Sequence, residues 1–326
     1  MSSPPDIDIE AARLRIEGMA VRTPLMPSVP LSERVGTDVF LKLETTQPTG
    51  AFKLRGAASK ILSLSEERRS LGVVTASTGN HGRGVSYVAR RLGIPATVCV
   101  SDGVPAGKLA ALRGLGAKVE VAGSSQTEAM KRGFEIAEDG ATFIHPFDDP
   151  EVIAGQGTIA AEIAEDLPEV STVLVPLSGG GLLSGIAEGL RQFAGDAEAV
   201  GVSMTRVPIM VMSLEAGRPV DAPEETTLAD SLRGGIELDN RHTFNMVREL
   251  VERVALVEED EIWEAMRFLF EQHRLIAEGA AAVGVATLLH GKLEPLAGPV
   301  VAVISGANAE PEHVAALIAG SPAPTL

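Results

Sequence analysis

Val173-Leu174-Val175-Pro176-Leu177-Ser178-Gly179-Gly180-Gly181-Leu182-Leu183-Ser184-Gly185 opens on an apolar run, turns through three consecutive glycines and continues at helical spacing. A buried strand that turns directly into a helix is the repeating unit of an α/β protein with a parallel sheet. The glycines let the backbone curl so that several N–H groups converge where the helix begins, at the positive end of its dipole. Such a turn suits a small anion. It lacks a Gly-Lys-Ser/Thr ending, which excludes a nucleotide P-loop, and its spacing matches the dinucleotide fingerprint only weakly. A single phosphate is the better ligand, and a glycine turn that holds nothing is the alternative.

The same alternation extends along the chain. Strands are predicted over 39–43, 72–76, 96–100, 118–121, 142–145, 172–176, 199–203, 253–257 and 300–304, with helices filling most of the gaps. Residues 72–149 read as a self-contained β/α unit, bounded by the polar Ser65–Ser70 segment and the turn-rich Pro146-Phe147-Asp148-Asp149-Pro150. The reading is therefore a small lobe, 72–149, inserted into a large lobe formed by 1–71 and 150–326, with a ligand cleft between them.

Bulk properties narrow the partners. At 326 residues, with 45% hydrophobic and 22% charged, the chain has the composition of a globular protein able to bury a large core. Forty-four acidic against 28 basic residues give a net charge of −16, which repels nucleic acid and anionic membrane, so neither is expected as a partner. An anionic ligand needs local backbone donors instead. The single Cys99 lies in an apolar strand, where a buried thiol is expected and no intramolecular disulfide can form. The acidic N-terminus has no secretory pattern and no apolar run nears the ~20 residues that span a bilayer, so the expected location is the cytoplasm.

Three further segments carry chemistry. Val73-Val74-Thr75-Ala76-Ser77-Thr78-Gly79-Asn80-His81-Gly82 is again strand, polar loop and helix, a second anion site suited to a carboxylate; a plain N-cap by Ser77 or Thr78 is the simpler explanation. In Thr49-Gly50-Ala51-Phe52-Lys53-Leu54-Arg55-Gly56, an amine pressed against an aromatic and close backbone can be desolvated into a neutral nucleophile, although a lone lysine is ordinarily solvated. Finally, Val300–Ile304 delivers Ser305-Gly306-Ala307-Asn308 to the carboxyl end of a strand, where ligands of open α/β sheets sit. His145, His242, His273 and His290 show no metal-ligand spacing, Trp263 and Phe268 read as core, and Met204, Met210 and Met212 as gap fillers.

Together and in this order, the four segments resemble the fold-type II pyridoxal-phosphate enzymes, in the threonine dehydratase and serine racemase group. The resemblance runs from Arg22-Thr23-Pro24-Leu25 to Ser305-Gly306-Ala307-Asn308. It implies a tryptophan-synthase-β-like α/β fold of two open parallel-sheet lobes, the small one mobile, with pyridoxal 5′-phosphate between them, in a homodimer. It also implies that Lys53 is the Schiff-base lysine and that Phe52 packs on the cofactor ring. Asn80 would bond the ring hydroxyl, Ser178, Gly179, Gly180, Gly181 and Leu182 form the phosphate cup, and Ser305 partner the pyridine nitrogen. Glu278 would lie close to the ring, and Ser77, Thr78, Asn80 and His81 would grip the substrate carboxylate. A neutral hydroxyl at Ser305 favours prompt β-elimination over a long-lived carbanion.

Within the group, Leu174–Gly181, Gly201-Val202-Ser203-Met204, Ala229-Asp230-Ser231-Leu232 and Gly234-Gly235-Ile236 resemble dehydratases of hydroxyectoine utilisation. That resemblance implies loss of water from a β-hydroxy amino acid such as a hydroxylated diaminobutyrate, with L-threonine/L-serine dehydratase as the alternative. Thr78 stands where serine racemases place a second catalytic serine. It joins Lys53 as a catalytic candidate, but its β-branch argues against racemisation. Ser203 replaces a metal-binding glutamate, so no metal is expected. Gly123–Met130 holds no arginine for a second substrate carboxylate, which argues against hydroxyaspartate. Few residues follow Ser305, so allosteric control by isoleucine through a regulatory domain is not expected.

Overall fold

A computed structural model describes residues 6–324 except 294, 295 and 297. Among these, ten strands form two sheets: β1 (Leu25–Pro27), β2 (Val39–Leu43), β3 (Val73–Ala76), β4 (Ala96–Val100), β5 (Lys118–Val121), β6 (Thr142–Phe143), β7 (Thr172–Pro176), β8 (Glu198–Met204), β9 (Val254–Val257) and β10 (Val300–Ile304). The larger sheet runs β1-β2-β10-β7-β8-β9 and the smaller β5-β4-β3-β6. Every pairing is parallel except that of β1 with β2. The chain thus belongs to the α/β class anticipated above.

Side chains of the large sheet alternate between two apolar layers, as the two-residue period of a strand requires. Val300, Ala302 and Ile304 face a cluster that contains the helix Gly279–Leu289, whereas Val301 and Val303 face one built from the helices Pro150–Asp166 and Gly181–Phe193. These two helices touch backbone to backbone. A Cβ added at Gly185 would lie 2.4 Å from the carbonyl of Ile153, so only glycine permits the approach. Met204, Met210 and Trp263 are buried and Phe268 and Met212 pack beside them, as expected of core residues.

The small sheet is likewise covered on both faces. Val73, Val98 and Val100 meet the helix Asn80–Leu92, while Val74 and buried Cys99 meet Ala129 of the helix Gln126–Glu138. Burial pushes the Cys99 thiol up to about 11, which keeps it a packing group. The first of these clusters also takes Leu54, Ala57, Ala58 and Ile61 from the helix Lys53–Ser63, residues that precede position 72.

That helix is tied to the large sheet by a buried ionic cluster. Arg55 donates to Glu44 at 2.8 Å and to Glu162 at 2.6 Å, and Lys42 of β2 donates to Glu162 at 2.7 Å. Two cations and two carboxylates thereby compensate one another, with Thr158 and Thr23 accepting further bonds.

One strand was not expected and four expected ones differ at their ends: β3 starts at 73 rather than 72, β9 at 254 rather than 253, β8 spans 198–204 rather than 199–203, and β6 is shorter. β1 carries no alternation signal, because it is three residues long between Pro24 and its own Pro27. β6 ends at Phe143 rather than at 145, because the chain leaves the ladder ahead of Pro146. Among the described residues no helix is long and apolar enough to cross a membrane.

Candidate active site

β2, β7 and β10 lie parallel in one sheet, so the segments that leave their carboxyl ends share one edge. There Ala51 bridges Gly306, Phe52 donates its N–H to Ser305 O at 3.0 Å, and Ala307 donates to Gly50 O at 2.8 Å. The segment that bears Lys53 is thus held against the segment that bears Ser305, which is 2% exposed.

Beside them lies the glycine turn. Gly180 caps the helix Gly181–Phe193 in the left-handed region at φ +86°, and no side chain closes the helix start. The glycines are required by packing as well: a Cβ at Gly179 would fall 2.5 Å from the Phe147 ring, and one at Gly181 2.9 Å from Phe147 Cα. Backbone donors therefore remain available beyond Ser178 and Leu182. At the second turn, the helix Asn80–Leu92 is capped by Gly79 and again receives no side-chain cap. Ser77 accepts only from Gly79 N at 3.3 Å, so neither Ser77 nor Thr78 is consumed in closing the helix.

Lys53 begins its helix with Nζ 5.3 Å from the centre of the Phe52 ring, and donates to Pro146 O at 2.6 Å. Burial lowers its amine to about 8, against a smaller opposing pull from the Glu278 carboxylate. A neutral amine is therefore within reach near physiological pH. His81 donates from Nε2 to Ile144 O, 3.0 Å away, and its buried Nδ1 has no partner among the described residues. Burial, reinforced by Lys53, depresses this ring to about 3, so the imidazole stays neutral. With Nε2 donating to a carbonyl, Nδ1 is an acceptor.

Asn80 joins the segment after β3 to segments beside the larger sheet. Its Nδ2 donates to both oxygens of Glu278, at 2.8 and 3.1 Å, and its Oδ1 accepts from Asn308 Nδ2 at 2.7 Å. Burial pushes Glu278 up to about 7, opposed by the Asn80 hydrogen bond. Asn308 also donates to Thr49 O and accepts from Arg83. Asn308 was legible only as the end of a polar cluster after β10; its role in aiming Asn80 rests on a contact across 228 positions.

A second group outside the motifs is the segment 145–149. His145, whose sequence surroundings show no metal-ligand spacing, pairs with Glu237 at 3.2 Å. Its signal, a turn-rich stretch at a lobe boundary, marks a connection but not a contact. Among the described residues no group of three His, Cys, Asp or Glu could hold a metal ion.

The donor set fits a phosphorylated aldehyde. Lys53 offers an amine of lowered pKa, the Gly179–Gly181 cradle admits no side chain yet leaves backbone donors free, and Asn80 and Ser305 add neutral polar groups. Asn80 spends both donors on Glu278 in this arrangement.

Comparison with known proteins gives the same picture. The model of the family described as pyridoxal-phosphate dependent enzyme matches residues 16–306. A putative threonine dehydratase of Sinorhizobium fredii is 50% identical over 92% of this chain and 91% of its own length. An L-threonine ammonia-lyase of Thermotoga maritima is 44% identical over 92% of this chain and 75% of its own. Among solved structures, maize serine racemase superposes with a TM-score of 0.90 at 32% identity, covering 97% of this chain and 98% of the other. A tomato (Solanum lycopersicum) threonine deaminase does so with 0.89 at 32% identity, covering 98% and 90%.

Proposed function

We propose that this chain, which belongs to the pyridoxal-phosphate dependent enzymes, is an ammonia-lyase that converts L-threonine or L-serine to a 2-oxo acid, water having left before ammonia. The observation that carries the reading is the Lys53 amine, desolvated to a pKa of about 8 with no carboxylate bonded to it. The relatives named threonine dehydratase and L-threonine ammonia-lyase favour L-threonine over the hydroxylated diaminobutyrate implied by the subgroup resemblance.

Pyridoxal phosphate, when bound, supplies the electron-withdrawing group that acidifies the substrate Cα–H. Lys53 would hold it covalently and Ser178, Gly179, Gly180, Gly181 and Leu182 would hold its phosphate. Phe52 would flank the ring, with Asn80, Glu278 and Ser305 at its polar edge. Once its amine is free, neutral Lys53 takes the Cα proton, a task suited to a base of pKa about 8. Ser77, Thr78, Asn80 and His81 would fix the substrate carboxylate at the second uncapped helix start. Neutral His81 contributes no proton there, because its Nδ1 is an acceptor. Thr78 is the candidate for moving a proton on the face opposite Lys53. A homodimer, a small mobile lobe spanning about 72–149, a cytoplasmic location and the absence of a resident metal belong to the same reading.

The test is an absorbance spectrum of the purified protein with parallel assays of 2-oxo acid release from L-threonine, L-serine, hydroxyaspartate and 3-hydroxy-2,4-diaminobutyrate. A visible band lost in Lys53→Ala, with turnover greatest on L-threonine or L-serine, is expected. Greatest turnover on the diamino substrate would return the subgroup reading, and a protein that stays colourless with added cofactor would overturn both.

A further inference from the structure

The segment that leaves β6 is fastened at several points. His145 Nδ1 accepts from Phe147 N at 3.2 Å and from Asp148 N at 2.8 Å, so it carries no proton, and Nε2–H must donate to Glu237 at 3.2 Å. Pro146 O receives Lys53 Nζ at 2.6 Å. The Phe147 ring closes the side of the Gly179–Gly181 turn. Asp148 accepts from the N–H groups of Arg241, His242 and Thr243, at 2.7, 2.9 and 2.8 Å, where the helix Thr243–Leu250 begins.

Glu237 is the odd member of this assembly. Its φ is +63°, a conformation that glycine or asparagine adopts readily and glutamate does not. An unfavourable backbone at a non-glycine residue calls for a compensating role of its side chain. That side chain makes the bond to His145, and His145 in turn sets the turn that aims Pro146 O at Lys53.

We infer that Glu237 is a positioning residue for the free amine of Lys53, acting through His145 and the Pro146 carbonyl. The inference rests on the reading of Lys53 as proton acceptor. Bound covalently, that amine has no need of Pro146 O; freed during turnover, it does. Losing Glu237 therefore slows proton removal while leaving cofactor loading and the fold intact.

The experiment compares wild-type holoenzyme with Glu237→Gly, Glu237→Gln and His145→Phe. It reads kcat, KM, cofactor absorbance, thermal midpoint and the isotope effect with α-deuterated L-threonine. Glu237→Gly suits the φ, so its midpoint is expected to match or exceed wild type with full absorbance. Its kcat is expected to fall about tenfold or more with KM within about twofold, and the isotope effect to rise. Glu237→Gln, still an acceptor for Nε2–H, should recover most of the rate. His145→Phe should add little to Glu237→Gly in the double variant, since both act along one path. A wild-type kcat in stable Glu237→Gly, or a fall in kcat matched by losses of midpoint and cofactor, overturns the inference. Wild-type enzyme that releases no 2-oxo acid overturns the reading of the site, and this inference with it.

Discussion

Two cations stand two positions apart at the start of one helix, Lys53 and Arg55, and their surroundings differ. Arg55, 1% exposed, is met by carboxylates of Glu44 and Glu162 and stays charged; burial alone would lower its pKa, but the two acids hold it above its ordinary value. Lys53 is half-buried, its amine finds only a backbone carbonyl and an aromatic face beside it, and its pKa falls to about 8. A compensated buried cation is a fastening. An uncompensated one is a reactive amine, provided a neighbouring fastening keeps it in place.

The largest effect that sharpens this contrast is Lys53→Ala. The fold is expected to survive, while kcat falls by at least about 10³-fold and the cofactor band disappears, because covalent anchor and base are lost together. Arg55→Met should do the reverse. It strands Glu44 in the interior and leaves Glu162 paired with Lys42 alone, and chemical denaturation should register a loss of about 3–5 kcal/mol. A variant that folded normally would break the comparison.

Gly180→Ala should be milder. The new Cβ would sit 2.9 Å from Met210 Cε in a left-handed conformation, so cofactor titration should show affinity reduced about tenfold, or about 1.4 kcal/mol. The smallest effect concerns pH. Only neutral Lys53 accepts a proton, so kcat should climb as pH rises toward about 8 and then level. Glu278 raises the Lys53 pKa, so Glu278→Gln should move that limb to lower pH, read from the pH dependence of kcat.

The features legible in the sequence were those written locally. β2, β4, β5, β7 and β10 were predicted to the residue, because each is an unbroken short run ended by turn residues. Both strand–turn–helix units were visible for the same reason. What stayed hidden was long-range pairing. Nothing near His145 announces Glu237, 92 positions away, and nothing near Asn80 announces Asn308. Lys53 and Arg55 look alike as neighbouring basic residues, and only the fold brings Glu44 and Glu162 to one of them.

The most direct test of the account is to reduce the holoenzyme with borohydride, digest it and locate the pyridoxyl group by mass spectrometry. The label is expected on Lys53 alone, with Lys42 and Lys60 unmodified. A label on another lysine, or none on a protein that had bound the cofactor, would contradict the assignment of Lys53 as the uncompensated, reactive amine.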